Sequence, residues 1–144
     1  MDQTVARPRV RVISIVRHPV YALFLPVPII CFVGALITDI SYLNSGGNLL
    51  WVNFSSWLIT AGLVFGALAG LFILIDVIRG IRGPGLVGLL LLFAAWVVEL
   101  FNSFVHSRDG WTAVSGAGLV LSIVGAVLIL VAGWLWRSAV QVRP

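Results

Sequence analysis

Residues 17–39, RHPVYALFLPVPIICFVGALITD, determine what kind of protein this chain forms. The stretch begins with arginine and a His-Pro step, continues as an apolar run, and carries a carboxylate, Asp39, near its end. As a helix, the run is long enough to cross the ~30 Å hydrocarbon core of a bilayer. A proline inside a helix removes a backbone donor and clashes with the preceding turn. We therefore expect a first membrane span that is kinked at Pro26 and Pro28.

The composition is that of a membrane protein. Hydrophobic residues make up 60% of the chain and charged residues 10%, and the mean hydropathy is +1.12. Soluble domains have about 45–50% apolar and about 25% charged residues. The 144 residues therefore predict an all-α integral membrane protein in which four transmembrane helices form a compact bundle. No hydrolase or phosphate-binding motif is present, which disfavours an enzyme, and the catalytic residues are unknown.

The arginines predict the orientation of the bundle. All nine basic residues are arginine and cluster near the ends of the predicted spans, which is typical of membrane topology and not of nucleic-acid binding. With four spans, eight arginines fall on one side and one, Arg108, on the other. The positive-inside rule then predicts that both termini are cytoplasmic. Arginine usage with abundant Ala, Gly and Val is typical of a GC-rich bacterial genome, so we expect a multi-pass protein of the bacterial inner membrane.

The chain divides into three predicted segments. Residues 1–17 form a basic cytoplasmic segment that lies on anionic headgroups, residues 18–137 form the four-helix membrane domain, and residues 138–144 form a cytoplasmic tail.

Polar residues in the third predicted span form a stripe on one helix face. Glu99, Asn102 and His106 follow one another at offsets of three and four. An ionisable group inside a membrane is costly and rarely faces lipid. Together with Asp39 and the nearby Arg108, these residues predict a polar site near the outer membrane face. Two interpretations stay open: Glu99 is hydrogen-bonded and serves assembly, or the site handles a proton or a small cation.

A second candidate polar site lies near the inner face. It comprises His18, Asp76 and Arg79, and the alternative interpretation is interfacial anchoring. Neither polar site predicts a metal centre. Cys31 is the only cysteine, which excludes a disulfide within the chain and a cysteine metal cluster.

Small residues recur at four-residue spacing on the second and fourth predicted spans. Such flanks allow helices to pack closely, either with another span or with a second copy of the chain. They predict a homo-oligomer or a membrane-protein partner in the lipid bilayer. The residues concerned are Gly62, Gly66, Gly70, Gly118, Ser122 and Ala126.

Several polar and proline positions, taken in order, resemble the bacterial inner-membrane family catalogued as domain of unknown function 2231. The resemblance covers roughly residues 17 to 137 and implies a four-helix membrane domain. Members are sometimes joined to Rieske iron–sulfur domains, so the resemblance implies an association with redox proteins. The positions are His18-Pro19, Pro26-Val-Pro28, Gly34, Asp39, Ala69 to Asp76, Phe104 to Trp111, and Gly133-Trp134.

Three functions are compatible with these patterns. The first is a non-enzymatic subunit or scaffold that associates through the small-residue flanks. The second is a redox-associated module that binds haem or a quinone, although a haem held by both histidines of one chain is disfavoured, since His18 and His106 lie about 30 Å apart in depth. The third is proton or small-cation handling through Asp39, Glu99 and His106.

Overall fold

The computed structural model describes residues 20–79, 85–109 and 112–141, with side chains described through residue 135 of the last range. The predicted basic segment 1–17 and the candidate residue His18 lie outside these ranges. Within them the chain forms five α-helices and, just before the last, a π-helical turn at Val114–Gly118. The helices are α1 (Tyr21–Phe24), α2 (Pro26–Asn44), α3 (Leu49–Ile78), α4 (Leu86–His106) and α5 (Leu119–Gln141).

Four stretches of helix are long and apolar enough to cross a membrane, so the predicted all-α bundle of four transmembrane helices is confirmed. Large apolar side chains cover the outward faces of the helices, as expected where the surrounding solvent is lipid. The four spans are Tyr21–Asn44, Leu49–Ile78, Leu86–His106 and Val114–Leu135.

The proline kink in the first span is present but minor. Leu25 separates α1 from α2, yet this residue keeps helical dihedral angles of φ −60° and ψ −35°. Pro26 then occupies the first position of α2, where a missing N–H is tolerated. Because the backbone stays helical across Leu25, α1 and α2 act as one span.

A tight turn joins the first two spans. Gly46 and Gly47 have positive φ angles of 69° and 89°, which glycine adopts without steric cost. Asn48 then caps α3, because its side-chain oxygen accepts a hydrogen bond of 3.0 Å from the backbone N–H of Leu50. The turn directs α3 back along α2, against which it packs closely.

The interior has two apolar layers. Cys31, Phe32, Ala95 and Ile129 form the larger layer, in the middle of the bundle, where α2, α4 and α5 meet. The second layer lies at the end of the bundle where α2 and α4 finish and α3 begins. It comprises Tyr42, Val52, Ala113 and Val114, and we call it the apolar cap.

The glycines of α3 contact side chains of the same protein. A Cβ atom added at Gly62 would lie 2.7 Å from Cδ1 of Phe32, and one added at Gly66 would lie 2.9 Å from Cδ1 of Trp96. A Cβ at Gly70 would meet nothing within 4 Å. Two of the three predicted packing glycines on α3 are therefore covered by neighbouring spans, and the third borders open space.

Candidate functional site

Six polar side chains are buried together at the end of the bundle that the apolar cap covers. None exposes more than 5% of its surface. Each of the four spans contributes at least one of them, and we call the set the polar network. Its members are Asp39, Ser55, Glu99, Asn102, His106 and Ser122.

The helices bring these residues to one depth because each lies near the same end of its span. Asp39 lies five residues before the end of α2, and His106 is the last residue of α4. Ser55 lies six residues after the start of α3, and Ser122 lies three residues after the start of α5. On α4 the spacing of three and four places Glu99 and Asn102 on the same face as His106.

His106 lies at the centre of the polar network. Its Nδ1 is 3.1 Å from the backbone carbonyl oxygen of Asn102, and a carbonyl only accepts, so Nδ1 carries a hydrogen and donates. Its Nε2 is 3.1 Å from Oδ1 of Asp39 and 3.3 Å from Oγ of Ser55. Ser55 is itself positioned to donate to the carbonyl of Ala35, at 3.4 Å. Nε2 of His106 therefore faces two side-chain groups, the carboxylate of Asp39 and the hydroxyl of Ser55.

The second oxygen of Asp39 extends the network to α5. The hydroxyl of Ser122 donates to Oδ2 of Asp39 at 2.5 Å. The amide nitrogen of Asn102 donates both to Oγ of Ser122, at 2.8 Å, and to Oε2 of Glu99, at 2.9 Å. Both carboxylate oxygens of Asp39 thus have a hydrogen-bond partner, Oδ1 with Nε2 of His106 and Oδ2 with the hydroxyl of Ser122.

Glu99 has fewer hydrogen-bond partners than Asp39. Its Oε1 is buried and accepts no hydrogen bond from the described residues, and neither does Oδ1 of Asn102. The carboxyl group occupies space that exists because residue 125 is glycine: an added Cβ there would overlap Oε1 and lie 2.7 Å from Cδ of Glu99. The imidazole is the one basic group of the network, so a charge on both carboxylates would not be balanced.

The chain matches the family model described as "Predicted membrane protein (DUF2231)" over residues 17–142. The chain belongs to this family. No curated protein and no solved structure matches it. The family description gives a membrane location and no activity.

Arg108 lies outside the polar network of this family member. Its side chain is exposed beyond the end of α4. The neighbouring Asp109 binds Thr112, accepting from its backbone N–H at 2.7 Å and from its hydroxyl at 2.8 Å. Of the five residues predicted for the outer polar site, the structure therefore brings four together and leaves Arg108 at the surface.

The residues predicted for the inner site do not form a comparable cluster. Asp76 is half-buried, and its buried Oδ2 accepts no hydrogen bond from the described residues. Arg79 ends α3 with an exposed side chain, and the described residues include no ion pair between it and Asp76. His18 is outside the described residues, so its part in this site stays a prediction.

Most polar atoms of the network are hydrogen-bonded to one another. Oε1 of Glu99 and Oδ1 of Asn102 are the exceptions. Among the described residues, no group of three or more His, Cys, Asp or Glu side chains is arranged to hold a metal ion. Both ring nitrogens of His106 are engaged in hydrogen bonds, which leaves neither free to ligate a haem iron.

Sequence reasoning misses some members of the polar network. It places Ser122 only in the small-residue flank of α5 and assigns Ser55 to no site. The available signal is a hydroxyl group within an otherwise apolar span, which in a membrane needs a hydrogen-bond acceptor. Gly125 gives no signal in the sequence, because only the three-dimensional structure shows that Glu99 occupies the space that a larger side chain would need.

Proposed function

We propose that this protein is a non-enzymatic membrane module that binds and releases a proton at the Asp39–His106 pair. One observation carries the proposal: the backbone carbonyl of Asn102 fixes the hydrogen on Nδ1, so protonation can change only at Nε2 and the facing Asp39 oxygen. Histidine is the side chain whose ordinary titration range, about pH 5–8, covers physiological pH. An ionisable group buried in a membrane is also costly, and most such groups are functional.

The hydroxyl of Ser122 gives this pair a hydrogen-bonded connection to α5. A hydroxyl both donates and accepts, so it can pass a proton along. The Asn102 amide nitrogen only donates, so the chain of proton-transferring groups ends there. Glu99 therefore acts on the pair through its charge, and its own proton is exchanged separately.

The proton site lies near one membrane face, with only the apolar cap between it and that end of the bundle. Asp39 lies about 8 Å from the end of α2 and Glu99 about 11 Å from the end of α4, given a helix rise of about 1.5 Å per residue. On its other side lies the apolar layer of Phe32, Ala95 and Ile129. We infer that the protein responds to protonation at one face and does not conduct protons across the membrane. The arginine distribution supports the outer face of a bacterial inner membrane, with both termini in the cytoplasm.

The two other hypotheses receive less support from the described contacts. A scaffold that associates through the α3 glycines needs those glycines at the surface, but Gly62 and Gly66 are covered by Phe32 and Trp96. Association with a second copy through other faces stays a prediction. For a redox module, the engaged nitrogens of His106 count against haem, and quinone binding stays a prediction.

Proton uptake by the purified protein in lipid nanodiscs tests the proposal. Two proteins are compared, and both carry His18→Gln, which removes the histidine outside the pair. One keeps Asp39 and His106, and the other also carries Asp39→Asn and His106→Gln. A rapid fall in pH in weak buffer, followed with a pH indicator, measures the protons bound. We expect the chain with the intact pair to take up about one proton more. Equal uptake by the two proteins would contradict the proposal.

A further inference from the structure

A large cavity lies in the half of the bundle away from the polar network. It has a volume of about 610 Å³ and lies between the second half of α3 and the first half of α4, with α2 and α5 behind it. Its wall is almost entirely apolar. The one wall residue with a side-chain donor, Trp96, gives its indole N–H to the backbone carbonyl of Leu63 at 2.9 Å and so presents only its ring.

Missing side chains create this space. Gly70 lies on the wall, and an added Cβ there would meet no atom within 4 Å. Gly66 lies against the Trp96 ring, where α3 and α4 make contact. Beyond this contact, towards the end of α3, the two helices enclose the cavity instead of packing together. The third glycine of the α3 ladder thus borders a cavity and does not form a helix seam.

The cavity opens sideways, towards the membrane. The residues of its floor, among them Phe32, Ala69 and Ile73, are buried. Residues of its rim are exposed: Leu74 by 56%, and Leu90 by 57%. In a bundle that spans a bilayer, such an opening between two helices faces hydrocarbon.

We propose that this cavity binds one acyl chain of a membrane phospholipid. Water does not fill it, because a buried water needs two to four polar partners. An empty cavity forfeits dispersion contacts on all its walls. A quinone ring would find no hydrogen-bond partner at the wall, whereas an acyl chain needs none. Arg79 ends α3 with an exposed side chain, so a cation lies near the same end of the helix as the cavity and can attract a lipid phosphate.

Lipid retention measured by native mass spectrometry tests this site. Gly70→Phe and Leu89→Trp place rings in the cavity, and Leu71→Phe adds the same ring on a lipid-facing side of α3, where Leu71 is 52% exposed. Excluding about two methylene groups from apolar surroundings weakens binding by about tenfold. We therefore expect the wild-type and Leu71→Phe proteins to retain a phospholipid and both cavity variants to lose it, with helix content by circular dichroism unchanged.

Three results would overturn the proposal. They are no phospholipid on the wild-type protein, retention by Gly70→Phe and Leu89→Trp as high as that of the wild-type protein, and an isoprenoid quinone in place of the phospholipid. Because two positions on different helices fill the same cavity, misfolding of one variant leaves the other as the test. The result does not depend on the polar network, which none of these substitutions contacts.

Discussion

At residue 125 the backbone of α5 faces the carboxyl group of Glu99 directly. Gly125→Ala would put a methyl group where Oε1 lies, so Glu99 has to move and its hydrogen bond from Asn102 is lost. Overpacking of this kind costs about 1–3 kcal/mol. We expect the free energy of unfolding, measured in mixed detergent micelles, to fall by that amount.

Gly133→Ala is the matched control for Gly125→Ala. It lies on the same helix, and its added Cβ would be 3.5 Å from Cδ1 of Ile29, an ordinary contact. Alanine is the better helix former by about 0.5–1 kcal/mol, so this variant should be unchanged or slightly more stable. Equal destabilisation by the two substitutions would mean that Glu99 is not held against Gly125.

The pairing of Asp39 with His106 predicts a strong energetic coupling. Removing one partner leaves the other buried without its counter-charge, so Asp39→Asn and His106→Gln should each cost about 3–5 kcal/mol. The double variant should cost less than the sum, with a coupling energy of about 1–3 kcal/mol. A double-mutant cycle of unfolding free energies measures it, and strictly additive effects would show that the two residues act independently.

At this scale the sequence predicts the ionisable members of the network and not their partners. The offsets of three and four on α4 identify Glu99, Asn102 and His106, because helical periodicity is local. Asp39 is distinguished by its charge in an apolar run. Ser55 and Gly125 cannot be identified from the sequence, since a serine or glycine in a membrane helix usually serves packing. Only the three-dimensional contacts show that these two belong with the polar network.

Among the helical elements, the π-helical turn before α5 is the least regular. Val114 from this turn and Ala113 before it form part of the apolar cap over the polar network. Gly118, which ends the turn, packs against the backbone carbonyl of Ala113, and an added Cβ would be 3.1 Å from Cε1 of His106. Gly116 inside the turn is non-helical, with φ −145° and ψ −110°, so the chain bends sharply here.

Gly118→Ala should therefore disturb both the turn and the ring of His106. The added methyl overlaps a backbone oxygen, which cannot rotate away as a side chain would. We expect a destabilisation of about 1–3 kcal/mol and a shift of the His106 ring resonances. Ser115→Ala, an exposed position in the same turn, should change neither. If Gly118→Ala behaves like this control, the turn is not coupled to the polar network.

The spans themselves can be predicted from hydropathy alone, because a bilayer requires about 20 apolar residues per helix. The proline effect is harder to predict. A proline at the first position of a helix needs no N–H, and Pro26 occupies such a position after a break at Leu25. The π-helical turn cannot be predicted, since Ser, Gly and Ala at 115–118 fit an ordinary helix start equally well.

At the scale of the whole molecule, the bundle has two unlike halves. The polar network fills one end, and the apolar cavity lies towards the other. The arginine rule predicts that Arg79 lies in the cytoplasm and Arg108 outside. In a Cys31→Ala background, a cysteine at Ser107 should react with an impermeant thiol reagent added to intact cells, and one at Gly85 should react only after the membrane is opened. The reverse pattern would invert the proposed orientation.

The two halves also predict that the protein is not a proton conduit. Apart from the thiol of Cys31, the layer that also contains Phe32, Ala95 and Ile129 offers no polar side chain to a proton leaving the network. Vesicles containing the protein should lose an imposed pH gradient no faster than empty vesicles. A faster loss that Asp39→Asn removes would show that a pathway continues across the bundle.

The nitrogen resonances of His106 test the central claim most directly. Protein with ¹⁵N-labelled histidine, carrying His18→Gln, is measured by nuclear magnetic resonance in nanodiscs over about pH 5–8, where histidine ordinarily titrates. We predict that Nδ1 carries a hydrogen throughout, because it donates to the Asn102 carbonyl, and that the Nε2 signal changes with pH and is altered by Asp39→Asn. An unprotonated Nδ1, or an Nε2 signal indifferent to both pH and Asp39→Asn, would contradict the account.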